Sequence, residues 1–173
     1  MSILRLLGFP DHHASARHDD VDAVRRIAEA LDRLEPERAR YVAAFAYLLG
    51  RVACADLEVK PEEMRLMERI VMERSALPEE QAVLVVQIAR SQNLLFGGTE
   101  DFLVARQFEQ MATHEQKLGL LDCLFAVSAA DQSITVIEDN EISRIAGELR
   151  IEHADIVRAR LRYRDYLSVL RQP

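Results

Sequence analysis

The chain contains one passage of its sequence twice. Residues 52–73 return without a gap, 75 positions later, as residues 127–148. In each copy a long apolar run ends at an Ala-Asp pair, a short polar loop follows, and a second amphipathic run opens near a glutamate. We therefore expect a fold built by duplicating one helix–loop–helix unit, with pseudo-repeats at about residues 40–76 and 115–151. The matched positions are Val52/Val127, Ala55/Ala130, Asp56/Asp131, Glu63/Glu138, Arg69/Arg144, Ile70/Ile145 and Glu73/Glu148.

The composition is that of a soluble globular protein. The chain has 173 residues, of which 49% are hydrophobic and 29% charged, and this length suits a single domain with a substantial core. A net charge of −7 argues against general nucleic-acid binding, which requires a basic face to displace counterions from phosphates. Cys54 and Cys123 lie in apolar runs without CxxC or Cys/His spacing, so no disulfide framework or zinc site is indicated. We expect a cytoplasmic protein.

Residues 1–19 are expected to form an N-terminal segment and linker, and residues 20–173 a single helical domain. The apolar stretch at residues 1–9 is interrupted by Arg5 and is too short for a signal-peptide core or a membrane span. No later stretch is long and apolar enough, so no transmembrane segment is expected. A peripheral membrane or partner contact through residues 3–7 is an alternative to docking on the domain. The spacing of His12, His13 and His18 suits no single helix face and favours a solvated linker over a metal site.

Helical periodicity begins near residue 20 and continues almost to the end of the chain, and no segment alternates with period two. The pattern predicts an all-α bundle of seven to eight helices, the last running from about residue 153 to 170. Residues 41–49 carry no charge, which places their helix at the centre of the bundle. Gly97-Gly98 marks the expected boundary between the halves. Helix starts are indicated by Pro36, Pro61 and Pro78 and by capping boxes at Thr113/Gln116 and Thr135/Glu138.

The duplicated corner resembles the mark of the TerB-like family, an A-D-G-x-[IVL]-x-x-x-E element that ends one helix and starts the next. Here it reads Ala55-Asp56-Leu57-Glu58-Val59 through Glu63, and Ala130-Asp131-Gln132-Ser133-Ile134 through Glu138. Residues 142–149 and 153–161 are similar to the end of the short stand-alone members. The resemblance covers roughly residues 21–163 and implies the all-α TerB-like fold. Leu57 and Gln132 replace the family glycine, and a left-handed turn without glycine is costly, so the loop geometry is open to change.

The acidic corners raise the hypothesis of a divalent-cation site. Residues 131–141 hold four carboxylates and no Lys or Arg, whereas Lys60 adds a competing positive charge at the first corner. Neither corner has the ligand and glycine spacing of an EF-hand. The interpretation we favour is structural, because acids in a first helical turn complement the helix dipole and Glu138 completes a capping box. The candidate ligands of the metal hypothesis are Asp131, Glu138, Glu141, Asp56 and Glu63.

The sequence has no catalytic constellation, since it has neither a Gly-rich phosphate loop nor a Ser or Cys in the context of a nucleophile. We therefore expect no enzyme activity and no cofactor beyond a weakly held divalent cation. The resemblance implies a non-enzymatic interaction or scaffold module of a bacterial stress response of the tellurite-resistance type, acting with a protein partner. The alternative is a protein that binds or senses a divalent metal ion. The arginines of the last helix either complement its dipole and pair internally or dock an acidic partner.

Overall fold

The computed structural model describes residues 18–53, 61–91 and 101–170; within these ranges, the side chains of residues 18–21, 61–63 and 101 are not described. The described residues form eight α-helices and three short 3-10 turns, which confirms the expected all-α class. None of these helices is long and apolar enough to cross a membrane. The helices are α1 (His18–Asp32), α2 (Pro36–Ala53), α3 (Pro61–Ser75), α4 (Glu79–Arg90), α5 (Asp101–Met111), α6 (His114–Ser128), α7 (Val136–Glu148) and α8 (His153–Arg162).

Helix α2 lies at the centre of the bundle, as its uncharged middle predicted. Every residue from 41 to 50 is buried, and the helix packs against α4, α5, α6 and α7. Tyr41 stacks on Phe108 of α5 with ring centroids 5.3 Å apart, and Phe45 meets Phe108 edge-on at 6.1 Å. Each such fully buried side chain stabilises the fold by roughly 1.5–3 kcal/mol relative to exposure. Apolar residues on all sides of one helix therefore organise the core.

Helix α6 forms the second layer, between α3 and α8. Its buried face includes Leu120, Leu124 and Phe125, and the ring of Phe125 stacks on Tyr163 at 5.6 Å. Gly119 allows α3 to approach, because a Cβ added there would lie 3.1 Å from the carbonyl oxygen of Arg74. That separation is shorter than normal van der Waals contact, so the α3–α6 spacing depends on this glycine.

The helix termini follow the sequence signals closely. Both predicted capping boxes, Thr113/Gln116 and Thr135/Glu138, are present. Helix α6 ends at Ser128 and α7 begins at Val136, on the two sides of the second corner. Superposition of the two halves stays a prediction, because the first corner, residues 54–60, lies outside the described residues. The Gly97-Gly98 boundary lies outside them as well.

The last helix is shorter than the sequence indicated. We expected it to reach Leu170, but α8 ends at Arg162 and is followed by 3-10 turns at Arg164–Tyr166 and Ser168–Leu170. Leu167 forms an isolated parallel bridge with Ile134, and both side chains are buried. Ile134 N donates to Tyr166 O at 2.7 Å, and Ser168 N donates to Ile134 O at 2.9 Å. The chain leaves the helical path because this tertiary pairing buries Leu167, an effect that helical periodicity does not report.

Candidate functional site

The second corner joins α6 to α7 and carries the second copy of the repeated motif. After α6, a 3-10 turn covers Ala129–Asp131 and Gln132 adopts the left-handed conformation with φ 69°. Asp131 Oδ1 accepts a hydrogen bond from Ser133 N at 3.0 Å and so stabilises the turn. The left-handed turn that glycine would favour is thus retained, with Gln132 carrying its steric cost of about 1 kcal/mol or more.

Glu138 is engaged at the start of α7. Its Oε2 accepts hydrogen bonds from the backbone N–H of Thr135 at 2.8 Å and from the Thr135 hydroxyl at 2.7 Å. The Thr135 hydroxyl accepts in return from Glu138 N at 3.2 Å. Reciprocal bonds of this kind satisfy two backbone donors that a helix start leaves without a partner. Glu138 therefore acts as a capping residue in this structure.

Glu141 belongs to an ion-pair network that connects the two halves of the chain. Arg51 of α2 donates through Nε to Glu141 at 2.8 Å and through Nη1 to Glu148 at 2.7 Å. The side chain of Arg51 is only 4% exposed, and Arg144 reaches Glu141 from the solvent side at 2.9 Å. Burial alone would lower the pKa of Arg51, but its hydrogen bonds and the charges of both glutamates raise it above its ordinary value. We call Arg51, Glu141, Glu148 and Arg144 the Arg51 network.

Asp139 pairs with an arginine from a different helix, because the segment 131–141 contains no Lys or Arg of its own. It is buried at the first turn of α7 and pairs with Arg160 of α8. Its second oxygen, Oδ1, is also buried and has no hydrogen-bond partner among the described residues. The four carboxylates between residues 131 and 141 thus take three different structural roles, which are turn formation, helix capping and ion pairing with distant arginines.

The candidate metal ligands consequently do not converge where they are described. Among the described residues there is no group of three or more His, Cys, Asp or Glu side chains placed to hold a metal ion. Asp56 lies outside these residues, and the side chain of Glu63 is likewise not described although its backbone belongs to α3. Cation binding through these two residues together with the second corner therefore stays a prediction.

A second buried carboxylate, Asp122 of α6, was not singled out by the sequence. Arg74 of α3 and Arg162 of α8 approach its two oxygens at 3.1 and 2.9 Å, and the Tyr163 hydroxyl donates to it at 3.1 Å. Burial raises the pKa of Tyr163 to about 12, and the charge of Asp122 adds to that effect. The only sequence signal for this cluster was an aspartate inside an apolar helical run. Asp122 joins α3, α6 and α8.

The adjacent residue, Cys123, behaves as the small hydrophobic side chain that its apolar surroundings predicted. It is a free cysteine with no exposed surface in the core. Burial and then the charge of Asp122 raise the pKa of its thiol, which keeps it protonated and unreactive at neutral pH.

Large apolar side chains are exposed on both segments that meet at the second corner. Val136 and Ile137, at the start of α7, are 51% and 80% exposed, and Val169 and Leu170 are 50% and 63% exposed. The Ile134–Leu167 bridge joins the two segments at one residue pair, two positions before Val136 in one segment and two positions before Val169 in the other. We call these four residues the corner patch. Its members come from two segments about 30 positions apart in sequence, which the Ile134–Leu167 bridge joins.

The arginines of the last helix pair internally. Arg158 contacts Asp155 at 3.0 Å and Arg164 contacts Asp165 at 3.8 Å, in addition to the Arg160 and Arg162 pairs described above. Arg171 lies outside the described residues. Internal pairing, one of the two interpretations offered by the sequence, is therefore present for these four arginines.

Comparison with known proteins identifies the family. Residues 41–161 match the family profile described as tellurite resistance protein TerB. No curated protein and no solved structure matches the chain. The matched region runs from the central helix α2 to α8 and includes α6 and α7, the two helices that the second corner joins. It spans well over half of the sequence. The chain belongs to the TerB family.

Proposed function

We propose that this TerB-family chain is a non-enzymatic interaction module in a bacterial stress response of the tellurite-resistance type. The family supplies the cellular context, and the corner patch supplies the observation that carries the proposal. Four aliphatic side chains that are at least half exposed belong to the two segments that the Ile134–Leu167 bridge joins at the second corner. Several exposed apolar side chains in one region mark protein contact sites more often than isolated hydrophobic residues do.

The polar groups around the corner support the same interpretation. Asp131, Glu138 and Glu141 are engaged in the turn, the cap and the Arg51 network. Their oxygens rigidify the corner, so that Val136 and Ile137 are presented from a fixed helix start. A preorganised apolar anchor binds a partner at lower entropic cost than a mobile one. We infer that the motif of this chain shapes a docking surface.

The buried titratable groups are also suited to a role without catalysis. Asp139, Glu141 and Asp122 pair with arginines, and the thiol of Cys123 is buried and protonated. General acid–base catalysis uses groups with pKa values near the working pH that can reach a substrate. We therefore propose that the protein acts by binding a protein partner and turns over no substrate.

The test is genetic and compares substitutions at exposed positions inside and outside the corner patch. A strain lacking the gene receives the wild-type chain, the corner variant Ile137→Ser/Leu170→Ser, or the control Met72→Ser. Met72 is 36% exposed on α3 and is not part of the corner patch. We expect the corner variant to retain its helical circular dichroism spectrum yet to lose protection against tellurite, while the control protects as the wild type does.

A photo-crosslinking amino acid at position 137 gives the direct readout of contact. We expect a discrete protein adduct in cells from position 137 and none from position 72. Full tellurite protection by the corner variant, together with no adduct from position 137, would contradict the proposed role of this surface.

A further inference from the structure

Helix α8 carries a second exposed apolar surface, distinct from the corner patch. Ala154, Val157 and Leu161 are spaced by three and four residues and therefore share one face of the helix. Val157 is 40% exposed and Leu161 is 59% exposed, whereas Ala159 on the opposite face is buried. We call Ala154, Val157 and Leu161 the α8 stripe.

Arginines border the α8 stripe on both sides. On a helical projection Arg158 and Arg162 follow it on one side, and Arg160 lies on the other. Their side chains are 74%, 57% and 41% exposed, respectively. The surface is thus an apolar ridge between two cationic edges, on a chain whose net charge is −7.

The aspartates that pair with these arginines lie beneath them, on the core side. Asp155, Asp122 and Asp139 are only 13%, 11% and 9% exposed, so the negative partner of each pair is largely withdrawn from the surface. A guanidinium group has five N–H donors in a fixed fork, and an aspartate below it satisfies only the inward ones. The outward donors remain available to a second carboxylate. Internal pairing therefore fixes the direction of each arginine and leaves its outer edge free to bind.

We propose that the α8 stripe binds an acidic amphipathic helix of a partner protein. The apolar residues of such a helix pack along Val157 and Leu161, and its flanking Glu or Asp side chains meet the outer edges of Arg158 and Arg160. The charge pattern selects this occupant, because a basic helix would meet like charge on both sides of the ridge. The acidic remainder of the chain repels the same partner elsewhere and so orients its approach.

Two designed peptides of about 18 residues provide the probe, a length that gives a helix of five turns. Both place leucine at three- and four-residue spacing; one carries glutamate on the flanking positions and its twin carries lysine. Fluorescence anisotropy with the full chain measures binding at two salt concentrations. We expect the glutamate peptide to bind more weakly as salt rises and the lysine peptide not to bind.

Substitutions in the protein locate the contact. Val157→Ser/Leu161→Ser should weaken binding of the glutamate peptide by at least about tenfold, because it removes both apolar anchors. Arg158→Gln should weaken it about threefold and reduce the salt dependence, since it removes one exposed charge. Met72→Ser, on α3 and outside both apolar surfaces, is the control and should leave the affinity unchanged. Circular dichroism verifies that each variant is folded.

Several outcomes would overturn the proposal. Equal binding of the two peptides would show that charge does not select the partner, and unchanged affinity in Val157→Ser/Leu161→Ser would place the contact elsewhere. Binding to vesicles containing phosphatidylglycerol that depends on Leu161, without binding of the glutamate peptide, would make the stripe a membrane contact. Dimerisation that depends on Leu161, without peptide binding, would assign the surface to a second copy of the chain.

Discussion

The Arg51 network yields a quantitative prediction for Arg51→Ala. The Arg51 side chain is 4% exposed, and its two glutamate partners are 22% and 17% exposed. Removing one member of a buried ion pair costs about 3–5 kcal/mol, since the opposite charge is left uncompensated. Here both glutamates keep some contact with water, and Arg144 still reaches Glu141 at 2.9 Å and Glu148 at 4.0 Å. We therefore expect a loss of about 2–3 kcal/mol in the free energy of unfolding.

Two comparisons isolate the buried charge from other effects. Arg144→Ala removes the exposed arginine of the same network, whose side chain is 54% exposed, and should cost less than about 1 kcal/mol. Arg51→Met keeps the apolar stem of the side chain and should fall between Arg51→Ala and the wild type. In a double-mutant cycle, Arg51→Ala and Glu148→Ala together should cost less than the sum of the single changes, because each alone leaves a charge without its partner.

Urea unfolding followed by far-UV circular dichroism measures these differences, provided that the dependence on denaturant is the same in all variants. For a chain of this length the predicted loss corresponds to a fall in Tm of roughly 5–10 °C. The reasoning fails if Arg51→Ala lies within about 0.5 kcal/mol of the wild type. It fails equally if Arg144→Ala is as destabilising as Arg51→Ala, since burial would then not be the deciding factor.

Three further predictions follow from the backbone and the acidic corner. Gln132→Gly should stabilise the fold by about 0.5–1 kcal/mol in urea unfolding, because glycine adopts the left-handed turn without strain; destabilisation would contradict this. Gly119→Ala should lower stability by about 1 kcal/mol through contact with α3, whereas Gly147→Ala, with no atom within 4 Å of the added Cβ, should raise it by a similar amount. Calorimetric titration with calcium should show weak binding, with a Kd of roughly 10⁻⁴ to 10⁻³ M. Micromolar binding abolished by Glu138→Gln would favour the metal hypothesis over the capping role.

The parts of the fold that depend on short-range sequence were predictable. The Thr113/Gln116 and Thr135/Glu138 boxes involve residues three apart, so the sequence contains the whole interaction. Burial of α2 followed from a run without charge, which no solvated helix face would tolerate. The end of α8 was not predictable in this way, because it depends on the pairing of Leu167 with Ile134, 33 positions earlier in the chain.

The second corner shows that the charged residues within a short sequence segment do not predict the charge of the surface that the folded segment forms. Residues 131–141 contain no Lys or Arg, which made the segment a candidate cation site. The fold supplies Arg51 from 90 positions away and Arg160 from 21 positions away, and each pairs with one of these carboxylates. The large apolar side chains left exposed at the corner are Val136 and Ile137, which the sequence did not single out. The docking role that we propose therefore rests on these exposed apolar side chains and on the ion pairs that fix the start of α7, and not on the acidic sequence.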